Sequence, residues 1–121
     1  MPTVAKHTTA TVNEYPVAID RFSDLDGTTV NFVDIKETHS LGPMLAGLPG
    51  GQCQCPHWGY VFSGRMIVHY ADHDEVIEEG QAFFMPPGHV PDADAGTEFV
   101  MFSPTDELRA TEDAIAKAMQ A

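Results

Sequence analysis

Between Tyr15 and Phe102 turn signals return roughly every 8–12 residues, and the runs between them are short and alternating. That rhythm leaves no room for long helices or for strand–helix–strand crossovers, and it points to an all-β sandwich or barrel. Tyr15 to Phe22 carries Val17 and Ile19 in alternation, and Asp24-Leu25-Asp26-Gly27 reads as a turn. Thr28 to Glu37 carries Val30 and Phe32 and then, after a slip, Val33 and Ile35. Gly42 to Gly51 holds four glycines and two prolines and reads as a loop. Gln52 to Pro56 is expected as a short strand ended by Pro56, and Trp58 to Phe62 as the next. Further strands are expected over Arg65 to Tyr70, Glu75 to Glu78, Gln81 to Met85, His89 to Ala93 and Thr97 to Phe102. Ser63-Gly64-Arg65, Asp72-His73-Asp74, Gly80 and Pro86-Pro87-Gly88 punctuate them.

The two ends differ from this body. Residues 1–14 are polar and Thr-rich and read as a loose arm or an edge strand. The β-barrel is assigned to residues 15–103 and a helix to residues 104–121. Ser103-Pro104-Thr105-Asp106 fits a helix start, with Ser103 as N-cap and Pro104 at the first helical position. Leu108, Ile115 and Met119 then make a thin apolar stripe beside Ala110, Ala114 and Ala118, suited to capping a core.

Within the barrel segment two sets of residues resemble the motifs of the cupins. The first family motif runs His-x-His, three or four residues, Glu, six residues, Gly. Anchored on Gly64, its Glu position falls on His57, its second His on Cys53 and its first on Gly51. Tyr60-Val61-Phe62-Ser63-Gly64 resembles the strand that ends that motif. In the second motif Gly80, Pro86 and Gly88 match Gly-x5-Pro-x-Gly, the His position falls on Pro91 and the Asn position on Ala95. His89 stands two residues before the His position, in a Pro-Pro-Gly-His run, and together with Cys53-x-Cys55-Pro56-His57-Trp58-Gly59-Tyr60 this run resembles a subgroup of small single-domain cupins. The scaffold half of both motifs is present, and the metal half is altered. The resemblance implies an antiparallel jelly-roll β-barrel with its functional pocket inside, usually dimeric. It leaves the activity open, because this fold hosts enzymes, storage proteins and sensors alike.

The residues themselves suggest a metal. Cys53 and Cys55 project to one face if they lie on a strand, their α-carbons about 6–7 Å apart. A disulfide between such near neighbours is strained, so the thiols are expected free or on an ion. Pro56 bends the chain and lets His57 approach the same point, and His89 is expected from across the barrel. Two cysteines and two histidines suit Zn²⁺, with copper or iron ranked behind it. The alternative is a degenerate barrel without metal, with the thiols as small buried hydrophobes and His57 hydrogen-bonded in the core. A Cys53–His57 thiolate–imidazole couple lacks a visible orienting third group. Trp58, Tyr60 and His69 are assigned to the lining of a ligand pocket, although the two aromatics serve equally as core or as a dimer sheet.

Charge narrows the partners. Eighteen acidic against six scattered basic residues give a net charge of −12, which disfavours nucleic acid and anionic membrane and suits a neutral or cationic small molecule. No apolar run approaches the ~18–20 residues that span a bilayer. The N-terminus does not read as a signal peptide, so a cytoplasmic location is expected. A homodimer is expected, with the Thr-rich arm and Tyr15 to Phe22 as candidates for exchange along sheet edges. Two functions stay open: a small-molecule- or metal-binding module, or a metal-dependent enzyme of oxygenase or isomerase type. Four protein ligands would close the metal's sphere, and three would leave a position open.

Overall fold

The computed structural model describes residues 3–120, so Met1, Pro2 and Ala121 lie outside the described residues, as do the side chains of Met119 and Gln120. In chain order the strands are β1 (Thr11–Glu14), β2 (Ala18–Leu25), β3 (Thr28–Ile35), β4 (His39–Ser40), β5 (His57–Ser63), β6 (Arg65–His69), β7 (Asp74–Glu78), β8 (Ala82–Met85), β9 (Val90–Ala93) and β10 (Glu98–Pro104). Two helices join them: α1 (Gly42–Leu45), a single turn, and α2 (Thr105–Gln120). One sheet has the order β1-β2-β3-β10-β5-β8 and the other β4-β9-β6-β7, with every pairing antiparallel. The two sheets close on one apolar interior, the jelly-roll arrangement.

Strand alternation decides what lies inside. On β5, His57 and Val61 are buried while Trp58, Tyr60 and Phe62 are exposed. Phe83 and Met85 of β8, Phe99 of β10, and Met66 and Val68 of β6 meet Val61 in the core. A second, smaller cluster closes one end of the barrel: Leu45, Leu48, Cys53, Cys55 and Leu108, with Ala114 and Ile115 against it. Asp106 and Glu107 lie in the first turn of α2 and Lys117 in its last, each sign matched to the helix dipole. Arg109 anchors α2 to the sheet, 2.8 Å from Asp24 and 4.9 Å from the centre of the Phe22 ring. Among the described residues no helix is long and apolar enough to cross a membrane.

Several boundaries differ from the sequence reading. β2 begins at Ala18 and runs through to Leu25, so the turn is Asp26-Gly27 alone. Both turn residues have positive φ, 50° and 84°, as a two-residue hairpin loop that follows the strand twist requires. The Gly-rich stretch carries α1 and a 3-10 turn, Pro49–Gly51. Gln52 to Pro56 forms no strand and contributes one isolated bridge, Cys53 with His89. Left-handed Gly50 and Gly51 precede it and Pro56, which has no N–H to donate, follows. α2 starts at Thr105, one residue later than expected. Pro104 is the last rung of β10, opposite Thr28, and the Thr105 N–H donates to the Gly27 carbonyl at 2.9 Å. The sheet ladder outcompetes the local helix-start pattern.

Candidate metal centre

His57 is set at the first position of β5 by the ladder, where it opposes Met85 of β8. His89 follows the Pro86-Pro87-Gly88 turn that leaves β8. Two backbone bonds, Cys53 N–H to the His89 carbonyl at 2.9 Å and Gly88 N–H to the Cys53 carbonyl at 2.8 Å, pin the cysteine beside that turn. Local backbone geometry therefore sets two of the three groups, and the β5–β8 register sets the third.

One ligand atom each from Cys53, His57 and His89 lies within 4.8 Å of the others, and all three residues are buried. Cys53 Sγ is 3.7 Å from His57 Nε2, and the two imidazole centroids are 4.9 Å apart, edge to face. His89 Nδ1–H donates to the Pro86 carbonyl at 2.7 Å. A carbonyl only accepts, so the proton of the neutral ring sits on Nδ1 and Nε2 carries the lone pair. His57 Nδ1 pairs with the Ser103 hydroxyl at 2.7 Å. When Nδ1–H donates to that oxygen, His57 Nε2 likewise presents its lone pair to Cys53.

The electrostatics follow from burial. Desolvation, with a smaller contribution from neighbouring His89, lowers the His57 pKa to about 3. His89 is lowered too, by burial, partly offset by its bond to Pro86. Burial raises the Cys53 thiol, against a weaker pull from the Cys55 carbonyl. Burial therefore favours the neutral thiol and the neutral imidazole where Cys53 and His57 meet, and works against a thiolate–imidazolium couple. Neutral imidazoles with free lone pairs are the form a metal takes, and the thiol gives up its proton on binding. For S and N ligands at Zn-type distances around a tetrahedral ion the S···N separation is about 3.6 Å. The observed 3.7 Å matches it, so the donor set fits such an ion.

The other expected site residues lie elsewhere. Cys55 is outside the trio: without a strand the period-two argument fails, and its thiol turns into the end cluster near Leu108. Burial first, then Cys53, Glu107 and Glu112, push that thiol up to about 12. Trp58 and Tyr60 do not line the interior. They alternate with inward His57, so they stand on the outer face of the six-stranded sheet, 48% and 40% exposed. His69 is on the outer face of the other sheet, where Nδ1 bonds Asp74 and Nε2 bonds Asp92, both at 2.8 Å. The residue missed by sequence reasoning is Ser103. Its parity with inward Phe99 and Met101 on β10 was the available signal, masked by the helix-start pattern.

No protein-family model matches the chain, and no curated protein sequence matches it. Solved structures do. A RmlC-like cupin from Shewanella frigidimarina superposes with a TM-score of 0.56 at 15% identity, over 84% of this chain and 88% of that one. The polyketide cyclase RemF from Streptomyces resistomycificus gives 0.61 at 16% identity, over 86% of this chain and 79% of that one. A Bacillus subtilis oxalate decarboxylase variant gives 0.63 at 15% identity, over 84% of this chain and 28% of that longer one. At such identities the agreement speaks for architecture, and with two antiparallel sheets closed on one core and a capping C-terminal helix, this chain has the cupin fold.

Proposed function

We propose that this chain is a small-molecule-binding cupin module whose barrel holds a divalent, zinc-like cation on Cys53, His57 and His89, with one coordination position left for the ligand. The observation that carries this reading is the convergence of three buried donor atoms within 4.8 Å. Each imidazole has its Nδ1 occupied, by Ser103 and by Pro86, which turns Nε2 toward the shared point. Such outer partners orient ligands in metal sites generally. A bound cation would polarise a small ligand as a Lewis acid.

The same count favours a second reading, a metal-dependent enzyme acting on a small organic substrate, because three protein ligands with an open position is the catalytic pattern. Against it, no carboxylate belongs to the donor group among the described residues, so a general base is not supplied there. Elemental analysis of chelator-treated, metal-reconstituted protein tests the site. About one zinc per chain is expected, lost in His57→Ala and in His89→Ala. Full metal content in both variants refutes the site. A Co²⁺-substituted sample then tests the open position: azide should perturb its visible bands, and unchanged bands mean a closed sphere.

A further inference from the structure

Asn31 of β3 is 3% exposed, and its Oδ1 has no hydrogen-bond partner among the described residues. A buried acceptor left unpaired is costly, so it calls for a donor from a ligand or from water. The other end of the amide fixes its orientation: Nδ2–H donates to Asp20 Oδ1 at 2.9 Å. Turned over, Oδ1 would face the carboxylate, acceptor against acceptor. The register puts both groups inside the barrel. Asn31 opposes Met101 of β10 and Phe22 of β2, and it shares the face of Thr29, whose partner Ser103 bonds His57.

Solvent reaches this stretch of the inner face. Asp20, Phe22, Val33 and Met101 point inward yet keep partial exposure, whereas Ala18, Ile35 and Phe99 on the same face are buried. α2 stands over the opening. Its Arg109 lies 4.9 Å above the Phe22 ring and pairs with Asp24 at 2.8 Å and Glu112 at 3.0 Å. The guanidinium is thereby engaged, and Asp20 has no ion pair among the described residues. Burial raises the Asp20 carboxyl, against the Asn31 bond and the Arg109 charge. Glu112 brings another carboxylate within electrostatic reach of Asp20. Around Asn31 Oδ1 the carboxylates of Asp20, Asp24 and Glu112 thus outnumber the Arg109 guanidinium, beside apolar walls of Phe22 and Met101.

We infer that this corner binds the ammonium group of a small primary amine, its N–H bonds made to Asn31 Oδ1 and the Asp20 carboxylate and its alkyl chain laid against Phe22 and Met101. An ammonium brings three donors and a positive charge, so it satisfies the amide and neutralises the carboxylate together. A hydroxyl or a water satisfies Asn31 alone, and an anionic ligand would oppose Asp20 and Glu112. The assignment deepens the small-molecule reading above and rests on it. Its donor and acceptor groups are separate from Cys53, His57 and His89, so it is tested with and without metal.

The probe is n-butylammonium, titrated at neutral pH into zinc-reconstituted and into chelated protein. Proton–nitrogen correlation spectra follow the Asn31 side-chain amide, with the one other asparagine, Asn13, as internal control. The Asn31 amide should shift in both samples with a dissociation constant of about 1 mM, and n-butanol should bind at least about tenfold more weakly. Asp20→Asn and Asn31→Leu should each weaken the amine at least about tenfold, read from the backbone amides of Phe22 and Met101. Glu78→Gln, on β7 and away from this corner, should leave binding unchanged. No Asn31 shift by about 20 mM amine, well above that constant, overturns the inference. So does equal binding of n-butanol, which a water-filled polar corner would give. Equal losses in Asp20→Asn and Glu78→Gln overturn it as well, because the amine then answers only to the acidic surface. If Asn31→Leu loses its β-sheet circular dichroism, the Asp20→Asn titration decides. A chain that takes zinc but shows no amine shift sinks this inference and leaves the metal centre standing. Amine binding by a chain that takes no zinc upholds it and removes the metal.

Discussion

Acid should unfold the metal-free protein through His57, and the size of the effect follows from its burial. The ring's pKa is about 3 in the folded chain and 6.5 when exposed. Below pH 6.5 the unfolded chain takes up a proton that the folded chain refuses, so the contribution is fully present above pH 6.5 and is lost as pH falls toward 3. At 1.36 kcal/mol per pKa unit, His57 alone removes about 2 kcal/mol between pH 8 and pH 5, and about 4 kcal/mol by pH 3. His89, lowered by burial, acts in the same direction. His69 and His73 are raised by their carboxylate partners and act in the opposite direction, so the raw pH profile mixes signs.

The assay is therefore a difference. Urea unfolding in the presence of chelator is compared between wild type and a His57→Leu/Ser103→Ala double variant, which removes the ring without stranding the Ser103 hydroxyl. The stability of wild type relative to the variant should fall by about 2 kcal/mol from pH 8 to pH 5, or about 1 M in urea midpoint for an m-value of about 2 kcal/mol/M. A difference constant to within about 0.5 kcal/mol over that range would falsify the claim that this imidazole is held neutral by burial.

Cys53 and Cys55 should separate cleanly: Cys53→Ala should abolish tight zinc binding while Cys55→Ala keeps it, read by competition with a chromophoric chelator, since only Cys53 joins the trio. Gly59→Ala should lower the thermal midpoint, because a Cβ there collides with the Val100 carbonyl and the Phe83 ring; overpacking of that kind costs about 1–3 kcal/mol. His69→Gln should destabilise more at pH 6 than at pH 8. The raised His69 pKa means its clamp between Asp74 and Asp92 is fully present below 6.5 and fades as pH rises, with a total effect of up to about 1 kcal/mol at such exposure, and equal losses at both pH values would contradict it.

The turns were legible because each states its requirement locally. Gly27, Gly64, Gly80 and Gly88 sit at φ of 84°, 85°, 83° and 96°, where a side chain is strained. The order of strands was not legible, since β10 runs between β3 and β5 by contacts far apart in sequence. The helix start shows how a local signal loses to a distant one. Ser103 and Pro104 carry the residues of an N-terminus, yet the ladder to Thr29 and Thr28 holds them in β10. That hold turns the Ser103 hydroxyl onto His57, where a capping role had been expected.

The site was half legible for a related reason. Strand parity, once His57 points inward to the metal site, already sends Trp58 and Tyr60 outward, away from any pocket inside the barrel. Cys55 failed in the other direction, because parity was applied where no strand exists. Two ligands are instead joined by backbone bonds between Cys53 and the Gly88-His89 turn, contacts between segments about 35 positions apart that no side-chain pattern encodes. Because the carbonyls of Cys53 and His89 accept those bonds, their side chains are brought together even if either is truncated. Loss of metal in Cys53→Ala with an unchanged sheet would therefore reflect a missing donor atom, and not a missing turn.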